Sequence, residues 1–152
     1  MPAVLFVCLG NICRSPLAEA AFRARAEAAG LEVRADSAGT GGWHIGAPPD
    51  PRAQAVALRH GVDIAGYRGR QVTPDDFTRF SHIFALDHQN LKTLRRIAPP
   101  GATAQLGLLL DLVPGSHGQS VADPYYGGPE GFEATWRQVD AAAAALVARL
   151  RG

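Results

Sequence analysis

The stretch AVLFVCLGNICRSPLAEAAFRARAEAAG, Ala3–Gly30, decides the fold. Ala3 to Cys8 is a short apolar run, long enough only for a buried strand. The loop Leu9 to Arg14 follows. Ser15, a good cap, and Pro16, suited to a first helical turn, then open a helix. Leu17, Ala20, Ala21, Ala24 and Ala28 mark one face of that helix, and Gly30 ends it. A strand that turns directly into a helix is the repeating unit of a parallel α/β sheet.

Outward from this unit the pattern repeats. Leu31 to Ser37 alternates weakly and reads as a second strand. A loop rich in Gly and Pro runs from Ala38 to Pro49, and Asp50-Pro51 starts a helix that ends near Gly61. Thr73-Pro74-Asp75-Asp76 is another helix start, with acids in the positive first turn. Ser81 to Leu86 is a third strand, and Gln89 to Ile97 a helix before Pro99-Pro100. The first half of Ala102–Leu112 makes a fourth strand. A last helix, Pro129 to Arg151, sets Phe132, Trp136, Val139, Ala143, Leu146, Val147 and Leu150 at helical spacing. Alternating strands and helices predict one four-stranded parallel sheet with helices on both faces, joined by right-handed crossovers. Ligands of such sheets bind beyond the carboxyl ends of strands, near a change in strand order. The loop 9–14 lies at such an end.

The chain of 152 residues is enough for one domain and too short for two ordinary ones. A hydrophobic content of 47% with 19% charged residues is a globular balance. The formal charge of +1 exerts no global pull on nucleic acid or on a membrane surface, so any attraction for an anion is local. Lys92 is the only lysine beside many arginines, alanines and glycines, which suggests a GC-rich bacterial genome. No stretch approaches the ~20 apolar residues of a membrane span. The start lacks a basic n-region and a small-residue cleavage pattern, so no signal peptide is expected. The two cysteines, Cys8 and Cys13, are too few and too close for a secreted disulfide framework, which predicts a cytoplasmic protein.

Cys8 and Arg14 stand in C-x5-R spacing. The spacing alone carries little; its place between a strand and a capped helix, with Gly10 inside, carries more. A loop so placed can curl its N–H groups inward as an anion nest, and the helix adds its positive end. Arg14 supplies a planar fork for two phosphate oxygens. A thiol in that field shifts from ~8.5 toward the ~3.5–7.5 range of thiols near helix N-termini and cations. The bland alternative is that Cys8 and Cys13 are small buried hydrophobes. A zinc site is poor, since His44, His60, His82, His88 and His117 show no ligand spacing with the cysteines. A nucleotide P-loop is poor too, because G-x4-G-K-[ST] is absent. A departing oxygen would need a proton donor, for which Asp123 in DPYYGGP is the candidate; Asp-Pro is also common turn chemistry.

At these motifs the sequence resembles the low-molecular-weight protein tyrosine phosphatases. The resemblance runs through V-C-L-G-N-I-C-R-S-P (Val7–Pro16), D-S-A-G-T (Asp36–Thr40), P-P-D-P-R (Pro48–Arg52), G-R-Q (Gly69–Gln71) and D-P-Y-Y (Asp123–Tyr126). It implies hydrolysis of phosphotyrosine with no cofactor and no metal. Cys8 would carry the phosphoryl group. Leu9, Gly10, Asn11, Ile12, Cys13, Arg14 and Ser15 would form the phosphate loop, and Asp123 would serve as acid and then base. It further implies that Ser15 stabilises the Cys8 thiolate, that Asn11 and Ser37 hold the loop, and that Cys13 is a redox partner of Cys8. Ile12, Trp43, Tyr125 and Tyr126 would form the substrate rim; Ile12 favours tyrosine, because relatives acting on phosphoarginine carry Thr there. Asp87 and Asn90 match a polar pair of the family and read as structural. Where many members have a histidine bonded to the loop asparagine, this chain has Gly66-Tyr67-Arg68, so either Tyr67 makes that contact or Asn11 is held differently. The implied partners are phosphotyrosine proteins, a bacterial tyrosine kinase among them, with phosphate and other oxyanions as ligands or inhibitors. The rivals are an arsenate reductase of the same fold, which would need further cysteines for its relay, a phosphoarginine phosphatase, and a non-catalytic phosphotyrosine-binding module.

Overall fold

A computed structural model describes residues Met1–Gly152. Four strands, β1 (Ala3–Cys8), β2 (Arg34–Gly39), β3 (His82–Ala85) and β4 (Gln105–Leu108), form one parallel sheet in the order β2-β1-β3-β4. The helices are α1 (Arg14–Ala28), α2 (Pro51–Arg59), α3 (Asp76–Arg79), α4 (His88–Ile97) and α5 (Pro129–Arg151), with a 3-10 turn at Leu109–Leu112. No helix is long and apolar enough to cross a membrane.

The central strand β1 is buried along its whole length, and its alternation divides the core in two. Val4, Phe6 and Cys8 face α1 and α5, where Leu17, Phe22, Trp136 and Leu146 pack. Ala3, Leu5 and Val7 face α3 and α4, meeting Phe77, Leu91 and Leu94. Phe6 meets the ring of Phe22 edge-on at 5.7 Å. That contact fixes the rotation of α1. Of the expected face, Leu17, Ala20 and Ala21 are buried, but Ala24, two residues on from Phe22 and roughly 200° round the helix, is exposed together with Ala28; Ala18, Phe22 and Ala26 are buried in their place. On α5 the expected residues Phe132, Trp136, Val139, Ala143, Leu146 and Val147 are buried.

Strand β2 begins later than predicted. The residues after α1 close a C-terminal cap in which Gly30 takes φ +68° and the Leu31 N–H reaches back to the Ala26 carbonyl. The ladder therefore starts at Arg34 opposite Ala3 and ends at Gly39 opposite Cys8. Because β2 and β3 flank β1 on opposite sides, the chain reverses direction across the sheet at the carboxyl end of β1. The loop 9–14 sits there.

Candidate active site

Three carbonyls of that loop are pulled outward. Thr40 N–H binds the Cys8 carbonyl at 2.9 Å, Gly41 N–H that of Leu9 at 3.0 Å, and Asp50 N–H that of Ile12 at 2.8 Å. In a trans peptide the next N–H points opposite to the carbonyl, so the amides of Leu9, Gly10 and Cys13 face into the loop. Asn11 completes the curl with φ +59°, the one non-glycine residue in the left-handed region. Gly39 makes the tight approach possible, since a β-carbon there would stand 2.7 Å from the Leu9 carbonyl oxygen.

At the centre is Cys8. The Asn11 N–H points at its Sγ at 3.3 Å, and Ser15 Oγ lies 3.0 Å from it. Ser15 is thus not the helix cap expected from sequence. Helix α1 begins at Arg14 without a side-chain cap, while the Ser15 hydroxyl faces sulfur and accepts the Asn11 Nδ2 amide at 2.8 Å. The N–H groups at the helix start are left for an anion.

Asn11 Oδ1 accepts the backbone N–H of Arg70 at 3.0 Å. That settles the alternative left open at Tyr67. Arg70 is itself pinned, its guanidinium bonded to Asp36 at 2.9 Å and to both oxygens of buried Asp76 at 3.0 Å. Ser37 does not hold the loop directly: its hydroxyl donates to Glu19 Oε1 at 2.8 Å. Glu19 is buried on α1 beside Arg23 and Tyr67; burial raises the Glu19 carboxyl above its ordinary range, and burial with Glu19 nearby pushes Tyr67 up to about 12.

The Arg14 side chain is buried, and Nη1 donates to Asp87 Oδ2 at 2.8 Å and to the Val121 carbonyl at 3.0 Å. Nη2 lies 3.7 Å from Asp123 Oδ2. Asp123 accepts the Tyr125 N–H in a turn at 3.1 Å and stays 44% exposed. Arg52 secures this segment: its fork is paired with Asp50 and donates to the carbonyls of Tyr125 (3.0 Å) and Gly127 (3.3 Å), over the Phe132 ring. The Arg52 pairing holds the Asp50 carboxyl below the usual carboxylate range.

Cys8, Arg14 and Asp123 line one cavity of about 230 Å³ with Leu9, Gly10, Ile12, Cys13, Trp43, His44, Tyr125 and Tyr126. All four expected rim residues are in this lining; Asn11 and Ser15 lie behind it and Ser37 farther off. Trp43 and Tyr126 are largely exposed at the mouth, and the two tyrosine rings meet edge-on at 5.0 Å. Cys13 is a free, buried thiol, which burial and then Asp50 push well up. Sequence reasoning missed His44, Arg52, and the grip of Asp87 on Arg14. Arg52 stood in a quoted motif without a role.

A sulfur approached by a loop amide and a hydroxyl, sharing one cavity with a buried guanidinium and an exposed carboxylate, defines a site that can bind an oxyanion and attack it. Residues 3–152 match the sequence model of the Low molecular weight phosphotyrosine protein phosphatase family, and the chain belongs to that family. It is 49% identical over 153 residues to the Low molecular weight protein-tyrosine-phosphatase of Streptomyces coelicolor, covering 97% of this chain and 93% of that one. It is 47% identical over 132 residues to the Low molecular weight phosphotyrosine protein phosphatase of Schizosaccharomyces pombe, covering 85% and 84%. Its fold superposes on the crystal structure of Primo-1 with a TM-score of 0.94 at 40% identity over the full length of both chains.

Proposed function

We propose that this protein-tyrosine-phosphatase hydrolyses phosphotyrosine through a phosphoryl group carried on Cys8. The observation that carries the reading is the cage about that sulfur: the Asn11 amide at 3.3 Å, the Ser15 hydroxyl at 3.0 Å and the outward-bonded carbonyls of the loop. Phosphate oxygens would sit among the amides of 9–14 and the Nε–Nη2 edge of Arg14, whose other nitrogen is fixed by Asp87. The thiolate attacks phosphorus; the S–P bond forms as the bond to the phenolic oxygen breaks. Asp123, protonated, gives its proton to that oxygen. As the carboxylate it then takes a proton from water, whose oxygen bonds phosphorus while the S–P bond breaks and phosphate leaves. The loose, anionic transition state is stabilised by donors already in place.

Trp43, Ile12, Tyr125 and Tyr126 line an aromatic entrance that fits a phenyl ring, and Ile12 gives no polar handle to a guanidinium, which favours tyrosine over arginine phosphate. The chain has only two cysteines, both beside the same loop, which disfavours an arsenate relay. Cys13 in the same lining supports a role as the thiol that captures oxidised Cys8. A reducing cytoplasm, phosphotyrosine proteins and their kinases as partners, and catalysis without metal belong to the same reading.

The test compares aryl phosphates of good and poor leaving groups. Asp123→Asn is expected to slow the poor ones by roughly 10²–10⁴-fold and activated ones less, while Cys8→Ser abolishes turnover and still binds phosphotyrosine. Equal losses in Asp123→Asn, or turnover by Cys8→Ser, refute the mechanism.

A further inference from the structure

His44 is a titratable side chain in the cavity that the chemistry above does not use. Its ring is packed on the phosphate loop: a β-carbon on Gly10 would lie 3.1 Å from His44 Cδ2. Its backbone is fixed on the other side, where the His44 carbonyl accepts the Ala47 N–H at 3.0 Å and leaves room only for a glycine at position 69. The imidazole is thus held at the mouth by its surroundings, yet neither ring nitrogen bonds to a protein atom.

The rest of the mouth carries no free cation. Leu9, Trp43, Tyr125 and Tyr126 present hydrocarbon and aromatic surface. Arg14 is buried at the base against Asp87, and Arg52 is tied to Asp50 and the Tyr125 carbonyl. Asp123, the acid at the opening, offers no positive charge. His44 is therefore the one rim group that can offer a positive, hydrogen-bonding contact to an arriving chain.

We propose that His44 determines specificity by pairing with an acidic side chain next to the phosphotyrosine. This rests on reading the site as a phosphotyrosine phosphatase. With the ring in the slot and phosphorus at Cys8, a neighbouring residue 3.8 Å along the chain by Cα stays within reach of the mouth, where His44 stands beside Trp43. A carboxylate there meets the His44 ring, which the loop shields from bulk water on one side, and the pair acts on binding rather than on bond breaking.

The test uses three phosphotyrosine peptides that differ only in carrying Glu, Gln or Lys beside the phosphotyrosine, assayed at pH 6 for kcat/KM. The wild-type enzyme is expected to favour Glu over Gln by roughly two- to five-fold, the yield of a partly exposed ion pair, mainly through KM. His44→Gln erases the preference, His44→Lys keeps it, and His44→Glu turns it toward the Lys peptide. Each ratio compares peptides on the same variant, so a general loss of activity cancels. Equal rates on the wild-type enzyme, or a Glu preference that survives in His44→Gln, overturn the proposal. If the wild-type enzyme turns over neither these peptides nor p-nitrophenyl phosphate, the phosphatase reading itself falls and takes the proposal with it.

Discussion

One carboxylate, that of Asp87, joins Arg14 to a helix end: Oδ2 accepts Arg14 Nη1 at 2.8 Å while Oδ1 accepts the Asn90 N–H at 2.7 Å and caps α4. Arg14 is therefore aimed from the back by the sheet's opposite layer. Asp87→Ala removes that aim without touching the cavity. A misplacement of about 1 Å in a positioning group costs about 10²-fold. We expect kcat/KM for an aryl phosphate to fall by about that much, and inhibition by inorganic phosphate to weaken in step. Unchanged phosphate inhibition would show that Asp87 does not orient Arg14.

Asn11 combines a left-handed backbone with two side-chain bonds, to Ser15 Oγ and from the Arg70 N–H. Asn11→Gly keeps the backbone conformation available and loses the bonds, about 1 kcal/mol each. Asn11→Ala loses the bonds and keeps a β-carbon at positive φ, a strain of roughly 1–2 kcal/mol that glycine is spared. Urea unfolding is expected to rank wild type above Asn11→Gly above Asn11→Ala, with turnover reduced in both variants. If alanine is tolerated better than glycine, the loop is not held as described.

The first strand, the loop and the start of α1 were legible because apolar run, glycine and Ser-Pro are local signals. Ser15 shows where such signals stop: a serine before a helix looks the same whether it caps or turns toward sulfur, and only the position of Cys8 decides. The alanine-rich α1 was misread on one face because alanine is at home in core and solvent alike, so its periodicity is faint and Phe22 sets the rotation. Asp87, Arg52 and Arg70 make contacts across dozens of residues of chain that no spacing encodes. Arg52 and Arg70 stood in recognisable motifs, but their partners could not be seen.

Cys13 shares the cavity with Cys8 but not its surroundings. Burial, then the negative charge of Asp50, raises its thiol well above the ordinary range, so it stays protonated at neutral and moderately alkaline pH. The thiolate is the reactive form. Iodoacetamide at pH 7 is expected to add one group, mapped to Cys8 by mass spectrometry, and to leave Cys13 unmodified in both wild type and Cys8→Ser. Rapid labelling of Cys13 in the Cys8→Ser variant would contradict the burial argument.

Arg52 bridges the two halves of the site. The Asp50 N–H holds the Ile12 carbonyl of the phosphate loop, while Arg52, paired with Asp50, holds the segment that carries Asp123. The depressed Asp50 carboxyl gives the sign of the pH effect. The pairing is intact above the ordinary carboxylate range near ~4 and is lost as pH falls through the lower folded value. Arg52→Ala frees the acid's segment without removing the acid, so it should act as a weaker copy of Asp123→Asn. Turnover of poor leaving groups is expected to fall by about 10-fold, within what a positioned acid supplies, and that of activated ones to fall less. Arg52→Lys should not restore it, because an ammonium cannot span a carboxylate and two carbonyls as a planar fork does. A loss equal for both kinds of substrate would instead place Arg52 with the phosphate loop.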